Sequence, residues 1–567
     1  MPRRASVQSP QSPQTQRGTA HRTAKFAPST VVDFVVVGSG AAGGIIAKEL
    51  STRGFKVVVL EQGPRIESGD FQHDEFKHGY LNYYNNKFDT QPQSFKAGPD
   101  GTPQPRIAAA YHRLVGGGSL CFTANYRRLR PLDFDEASRI GPMAGTTFAD
   151  WPITYNDLEP YYTKAEWEIG VSGEPGPFDP PRSRPYPMPP LPVKSSGVLF
   201  ERGARAIGLH PQAAQMSILS RPYHGRPPCQ QCGYCIGFPC EHRAKGSKHV
   251  VIPMAEATGR CEIRTGCVVG RVEMDSRGRA TGVMYFDDTK TQQLQRARAV
   301  VLCCNGAETP HLLLNSATPQ FSNGLANSSG MVGHNLMFNS NAVVNAQFEH
   351  ELDDWKGAMV TRIALDFYDN DPLRGFYGGG ALDGRFFGSA PFQYAMGGPP
   401  PGTPRWGPDY KRALRDGYRN QMNVLAEGTS LPLDTNRIEL DPDLKDIWGL
   451  PAMRVTYMDH NDDLALMKFL QGYANDLLNA AGARKVWSRP PGPQGNGVHL
   501  LGTCRMGNDP AKSVVDKYHR THDVKNLFLC DGSSMVTSGR GQPTCTIQAL
   551  AYRAGANIAR FARRAEI

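Results

Sequence analysis

Six residues near the start of the chain, Gly38-Ser39-Gly40-Ala41-Ala42-Gly43, have the spacing with which a polypeptide cradles a pyrophosphate. The first glycine permits a tight turn, the second lets backbone approach the phosphates, and the third lets a helix pack close to a strand. The N-terminus of that helix then turns the positive end of its dipole toward the phosphates. Glu61 closes the next apolar run, where a carboxylate can accept hydrogen bonds from ribose hydroxyls and disfavours a 2′-phosphate, hence NADP. The combination predicts a dinucleotide site. Far along the chain, His499 stands in the run His499-Leu500-Leu501-Gly502-Thr503. A histidine titrates near neutral pH and is suited to moving a proton. A lone histidine before a Gly-Thr turn is more often structural, so its neighbours must decide.

A third constellation is Cys229, Cys232, Cys235 and Cys240, four soft ligands within residues 229–240. The spacing is similar to iron–sulfur ligation, although the last gap is longer than in bacterial ferredoxins and no proline follows Cys240. Tetrahedral zinc suits Cys-x-x-Cys pairs equally, and two disulfides are a third option in an oxidising compartment. Pro227, Pro228, Gly233, Gly237 and Pro239 give a loop able to wrap an ion.

These groups need elements to position them. Residues 31–37 form a Val-rich apolar run that predicts a buried parallel strand. A helix over 41–53 and a second strand over 56–60 complete the unit that the glycine pattern requires. Thr154 and Asp157 predict a capped helix running to about residue 170, and the Pro-rich stretch 171–194 an extended connection. Residues 261–304 alternate as an antiparallel meander ending in a buried strand, Ala299 to Cys304. Helices are expected over 462–483 and 546–564. Residues 340–460 carry no motif with chemical meaning and are expected to set substrate choice.

At 567 residues the chain exceeds one small core, so two or more domains are expected. Its 40% hydrophobic and 20% charged content is that of a globular protein. The net charge of +10 fits an ordinary basic surface, an anionic membrane surface or an acidic redox partner. Nucleic acid is not expected, because the arginines are scattered and no basic-aromatic motif appears. No apolar run approaches a transmembrane span. Residues 1–29 are polar, without the apolar core of a signal peptide behind Arg3-Arg4, and are expected to be a disordered tail. The expected location is cytoplasmic by default, or periplasmic by export with a partner.

Several separated segments together resemble the glucose-methanol-choline (GMC) oxidoreductase family. They are Gly38 to Gly43, Glu61-Gln62-Gly63-Pro64-Arg65, and Gly116-Gly117-Gly118-Ser119 with Asn125 and Arg127-Arg128. Further on come Asn305-Gly306-Ala307-Glu308-Thr309-Pro310, Val332-Gly333-His334-Asn335, and the blocks around His499, Asp531-Gly532 and Gln542-Pro543-Thr544. The resemblance runs from about residue 31 to the end. It implies an α/β fold with a discontinuous Rossmann-like FAD-binding domain (30–170, 241–340 and 499–567) and a substrate domain with a mostly antiparallel sheet (171–228 and 341–498). The cysteine loop 229–240 is set apart from both.

The resemblance also implies FAD, with Gly38, Ser39, Gly40, Ala41, Ala42, Gly43, Glu61, Gly117, Gly118, Ser119, Asn125, Asp531, Gly532, Pro543 and Thr544 in its site. His499 matches the family's catalytic histidine. The second active-site residue, His or Asn in the family, is here Gln542, which can orient a substrate oxygen but cannot act as a base. Cys121 stands where some members carry a histidine linked to the flavin, so no histidyl link is expected. Some family dehydrogenases carry an iron–sulfur centre on the flavin subunit and pass electrons to a cytochrome or quinone, which suggests a small partner subunit.

The implied activity is oxidation of an alcohol group on a sugar, sugar acid, polyol or glycoside, with electrons leaving to an acceptor other than oxygen. An oxygen-using oxidase is the near alternative, and a non-redox lyase that retains FAD is a further one. A zinc-binding or nucleic-acid module would leave the glycine motif unexplained.

Overall fold

The computed structural model describes residues 25–71, 73–77, 84–387 and 391–567. Of the segment expected to be a tail, residues 1–24 lie outside the described residues. Residues 25–29 are fastened to the molecule: the Phe26 amide donates to Glu262 at 2.9 Å, and Arg264 donates to the Phe26 carbonyl at 2.9 Å.

A seven-stranded sheet forms around Val32–Val37, whose β-branched side chains suit a surface buried on both faces. That strand pairs in parallel with Val57–Leu60 on one side and with Gln292–Leu302 on the other. Cys261–Arg264 extends the first edge in parallel. Ala280–Phe286 and Val268–Met274 extend the second edge antiparallel, and Leu527–Leu529 runs parallel along the end of Gln292–Leu302. The meander expected over 261–304 therefore begins only at Val268. Cys261–Arg264 has joined the parallel core, its backbone pairing in parallel register with Val57–Leu60 and Cys261 buried.

Helix Gly43–Ser51 is buried along its whole length and packs against the C-terminal helix Thr544–Arg563. Their approach is close: a Cβ on Gly555 would lie 2.7 Å from the Cβ of Glu49. Each Val, Ile or Leu taken into this core contributes about 1.5–3 kcal/mol. Helix Tyr155–Ile169 starts at Thr154, whose side chain accepts from the Asp157 amide while Asp157 accepts from the Thr154 amide, the reciprocal capping read from the sequence.

A second, six-stranded sheet is mainly antiparallel, in the order Lys485–Ser488, Ser340–Gln347, Gln421–Gly428, Gly380–Arg385, Arg362–Ala364, Pro211–Ala213. Leu466, Leu470, Ala474 and Leu477 of helix Asn461–Ala480 seal one of its faces. A four-stranded sheet joins Arg437–Lys445, Pro451–Tyr457, Gln93–Ala97 and Gln104–Pro105. Among the described residues no helix is long and apolar enough to cross a membrane.

Candidate active site

A cavity of about 650 Å³ opens at the ends of the parallel strands and reaches the second sheet. Its volume is that of a site for a cofactor or small molecule. At one end lie Gly38, Gly40, Ala41, Ala42 and Glu61, followed by Gly117, Gly118 and Ser119. The floor there is bare backbone. A Cβ on Gly43 would sit 1.9 Å from the Gly38 carbonyl oxygen, and one on Gly117 would sit 2.8 Å from the Cα of Gly40. Gly117 also has φ +55, a left-handed conformation that favours glycine. Helix and strand, and the two glycine loops, can approach this closely only without side chains. This is the cradle that a pyrophosphate requires, and a dinucleotide such as FAD fits it.

Glu61 is buried and accepts from the Ser39 amide at 3.0 Å, the Ser39 hydroxyl at 2.7 Å and the Gly63 amide at 3.0 Å. Burial pushes its carboxyl above the usual range, and the bonds from Ser39 and Gly63 pull it back. Ser39 thus braces the turn and does not line the cavity, and the same holds for Gly43. Asp531 and Gly532 line the cavity with Pro543 and Thr544. The Asp531 carboxylate accepts from Thr309 Oγ1 at 2.6 Å and from the amides of Asn305 at 3.1 Å and Ser533 at 2.8 Å, tying the C-terminal segment to the parallel sheet. Cys121 also lines the cavity, and burial pushes its thiol up to about 12.

At the other end His499 and Gln542 face the same space. His499 Nδ1 lies 3.1 Å from Asn339 Oδ1. Burial, reinforced by the nearby Arg127 and Arg385 guanidinium groups, lowers its pKa to about 4, so the ring is neutral at neutral pH and can accept a proton.

Beside them stands a charged cluster that the sequence did not announce. Arg127 donates to Glu427 Oε2 at 2.6 Å and lies 3.5 Å from Asp383 Oδ1. Arg385 donates to Asp383 and, at 3.4 Å, to Glu427 Oε1. Gln542 Nε2 also donates to Glu427 Oε1. Burial and the neighbouring Asp383 push the Glu427 carboxyl up, and Arg127 and Arg385 oppose this. Asn125, expected at the cofactor, instead donates to Asp383 at 2.6 Å and does not line the cavity. The signal in the sequence was charge inside strand segments, Asp383 and Arg385 in Gly380–Arg385 and Glu427 in Gln421–Gly428.

The expected iron–sulfur ligands do not make a ligand set. Among the described residues no group of three or more His, Cys, Asp or Glu is placed to hold a metal ion. All four cysteines are free thiols. Cys235 packs with Ala124, Leu191 and Met359, Cys240 packs near Met188 and Leu219, and Cys229 packs against both groups. Burial pushes Cys229 up to about 12 and raises Cys232 and Cys235. Their loop is pinned by the buried Lys245 ammonium, which donates to the carbonyls of Phe122 at 2.9 Å, Phe238 at 3.0 Å and Cys235. The loop reaches the cavity through Ile236 and Gly237.

Two family models described as GMC oxidoreductase match residues 32–340 and 432–551. The chain is 34% identical over 546 residues to 2-methyl-1,2-propanediol dehydrogenase of Mycolicibacterium austroafricanum, covering 93% of this chain and 95% of the relative. It is 30% identical to the gluconate 2-dehydrogenase flavoprotein of Pantoea cypripedii, with 92% of each chain covered. It is 28% identical to the fructose dehydrogenase large subunit of Gluconobacter japonicus, over 92% of this chain and 96% of the relative. Among solved structures, pyridoxine 4-oxidase from Mesorbium loti shares the fold with a TM-score of 0.60 at 17% identity, covering 93% of this chain and 99% of that one.

Proposed function

The chain belongs to the GMC oxidoreductase family and is an FAD-dependent oxidoreductase, and we propose that it oxidises an alcohol carbon of a small, uncharged polyol or sugar. The observation that carries this reading is a neutral histidine, His499, facing the cavity that the glycine loops floor. FAD, when bound, supplies the hydride acceptor. The protein's own task is to take the hydroxyl proton, hold the alcohol in place and keep water out. Two neutral histidines line the cavity, His112 and His499, both held near 4. His499 takes the proton, because its ring stands near Arg127 and Arg385, whose partner Glu427 also holds Gln542. Gln542 lines the same cavity and is fixed through its Nε2 bond to Glu427.

An uncharged substrate follows from the ion balance. The two arginines beside His499 are already paired with Asp383 and Glu427, so neither is left over for a substrate carboxylate. Glu427 can instead accept hydrogen bonds from a second hydroxyl. The three relatives named above are dehydrogenases, one of a diol, and one of them is called a large subunit. That favours electrons leaving through a partner subunit to a cytochrome or quinone over reduction of oxygen. The test is anaerobic mixing of the FAD-loaded protein with a diol, a neutral sugar and gluconate in turn. Bleaching of the flavin by the neutral compounds and slow reoxidation in air support the reading. Bleaching by gluconate alone overturns the uncharged substrate, rapid reoxidation makes it an oxidase, and no bleaching by any alcohol favours a lyase.

A further inference from the structure

Neutral imidazole carries one proton on either of two nitrogens, and only the bare nitrogen can act as a base. The structure decides which it is in His499 through one side chain, Asn339. This asparagine is 2% exposed, lies just before strand Ser340–Gln347 and has φ +58, a conformation that Asn tolerates better than most residues. Its Nδ2 faces three backbone carbonyls, those of Gly428 at 3.2 Å, Ser538 at 3.2 Å and Gly539 at 3.4 Å. Carbonyls only accept, so the amide cannot be flipped without setting oxygen against oxygen three times over. Its own carbonyl oxygen accepts from Gln494 at 3.2 Å, which fixes the backbone as well.

With the amide fixed, Oδ1 is the atom that meets His499 Nδ1 at 3.1 Å. Two acceptors cannot bond, so Nδ1 must carry the proton. Nε2 is then the unprotonated nitrogen, and among the described residues it has no hydrogen-bond partner. We propose that Asn339 is a positioning residue that holds His499 in the Nδ1–H tautomer, so that Nε2 presents a lone pair to the substrate hydroxyl. When Nε2 takes the hydroxyl proton, the Nδ1–H bond to Asn339 is kept, and the ring does not need to turn between the two states. The opposite tautomer would present an N–H to the hydroxyl and could not accept its proton.

The inference builds on His499 as the base, but its test reads the resting protein and needs no turnover. The FAD-loaded protein is labelled with ¹⁵N in its histidine rings, and the His499 signals are identified by their loss in His499→Gln. At neutral pH the expected result is a protonated Nδ1 and a bare Nε2. A proton on Nε2, or signals averaged between both tautomers, overturns the proposal. In Asn339→Gly, which keeps the left-handed backbone, averaging is expected, with kcat down roughly 10-fold, a fraction of the 10²–10⁴ that a placed base is worth, and KM little changed. A glycine variant whose Nδ1 stays protonated shows that Asn339 does not set the tautomer. Should His499→Gln leave kcat unchanged, the base reading fails, whereas the ring signals still decide the tautomer.

Discussion

Along the sheet built on Val32–Val37, what faces the cavity is mainly backbone: glycine turns, amides and one helix N-terminus. Along the sheet containing Gly380–Arg385 and Gln421–Gly428, what faces it is side chains, held by ion pairs among Arg127, Asp383, Arg385 and Glu427. The first wall recognises a group through shape and will not admit a Cβ. The second recognises through charge balance, which could be rewritten residue by residue as long as no ion is stranded. A cofactor common to a family is well served by the first arrangement, and a substrate that differs among members by the second.

That contrast can be broken most forcefully at Gly43. Gly43→Ala would set a Cβ 1.9 Å from the Gly38 oxygen, with helix and strand both buried and unable to part. Protein without bound flavin, or no soluble protein, is expected, as read from the ratio of flavin to protein absorbance. A variant with full flavin would show that the glycines are ordinary turn formers.

On the other wall, Arg127→Leu leaves Glu427 and Asp383 with Arg385 alone. Breaking a buried pair typically costs about 3–5 kcal/mol, visible as a fall in the denaturant midpoint. The same variant removes one of two cations that keep His499 neutral, so the acid limb of its activity is expected to move up from about 4. Glu427→Gln, which keeps an acceptor for Gln542, should cost less. Wild-type stability in Arg127→Leu would deny that the wall works by charge balance.

Acid pH separates the regions less sharply. His112 and His499 are held near 4 and His249 and His519 near 3, in each case chiefly by burial. Below the unfolded value of about 6.5 the unfolded chain binds protons that the folded one refuses, so stability falls as pH drops from 6.5 toward 4. His311 runs the other way. Glu308 beside its Nδ1 overcomes burial and raises its pKa, so its contribution is present below 6.5 and lost as pH rises through the raised value. Thermal midpoints from pH 8 to 5 should decline overall on the acid side.

The smallest effect concerns a glycine outside the cofactor wall. Gly472 lies exposed in helix Asn461–Ala480 with nothing within 4 Å of a would-be Cβ. Gly472→Ala is expected to stabilise by about 0.5–1 kcal/mol, measured by denaturant unfolding.

The same contrast explains what the sequence could reveal. Local rules sufficed where one segment carries its own reason: the Val-rich strand, the Thr154 cap, the amphipathic helices and the glycine turn. They failed where partners meet across long intervals. Arg127 finds Glu427 across 300 positions and Asp383 across 256, and no periodicity records such a meeting. Asn125 reads as a cofactor ligand because it follows the second glycine loop, yet that stretch turns inward to the ion cluster. The cysteines read as ligands by spacing alone, and spacing does not fix where thiols settle: Lys245 pins the loop by its carbonyls, Cys235 is buried among apolar side chains, and Cys229, Cys232 and Cys240 are half-buried. Cys261–Arg264 alternates like a meander strand and is nevertheless recruited by the parallel core.

The most direct test of the central claim is the rate at which a neutral polyol bleaches the flavin without oxygen, in the wild type and in His499→Ala. The account predicts equal flavin content in the two proteins and a rate lower by about 10²–10⁴ in the variant, the usual worth of a placed base. An unchanged rate on a substrate that bleaches the wild type would contradict it and remove His499 from the chemistry.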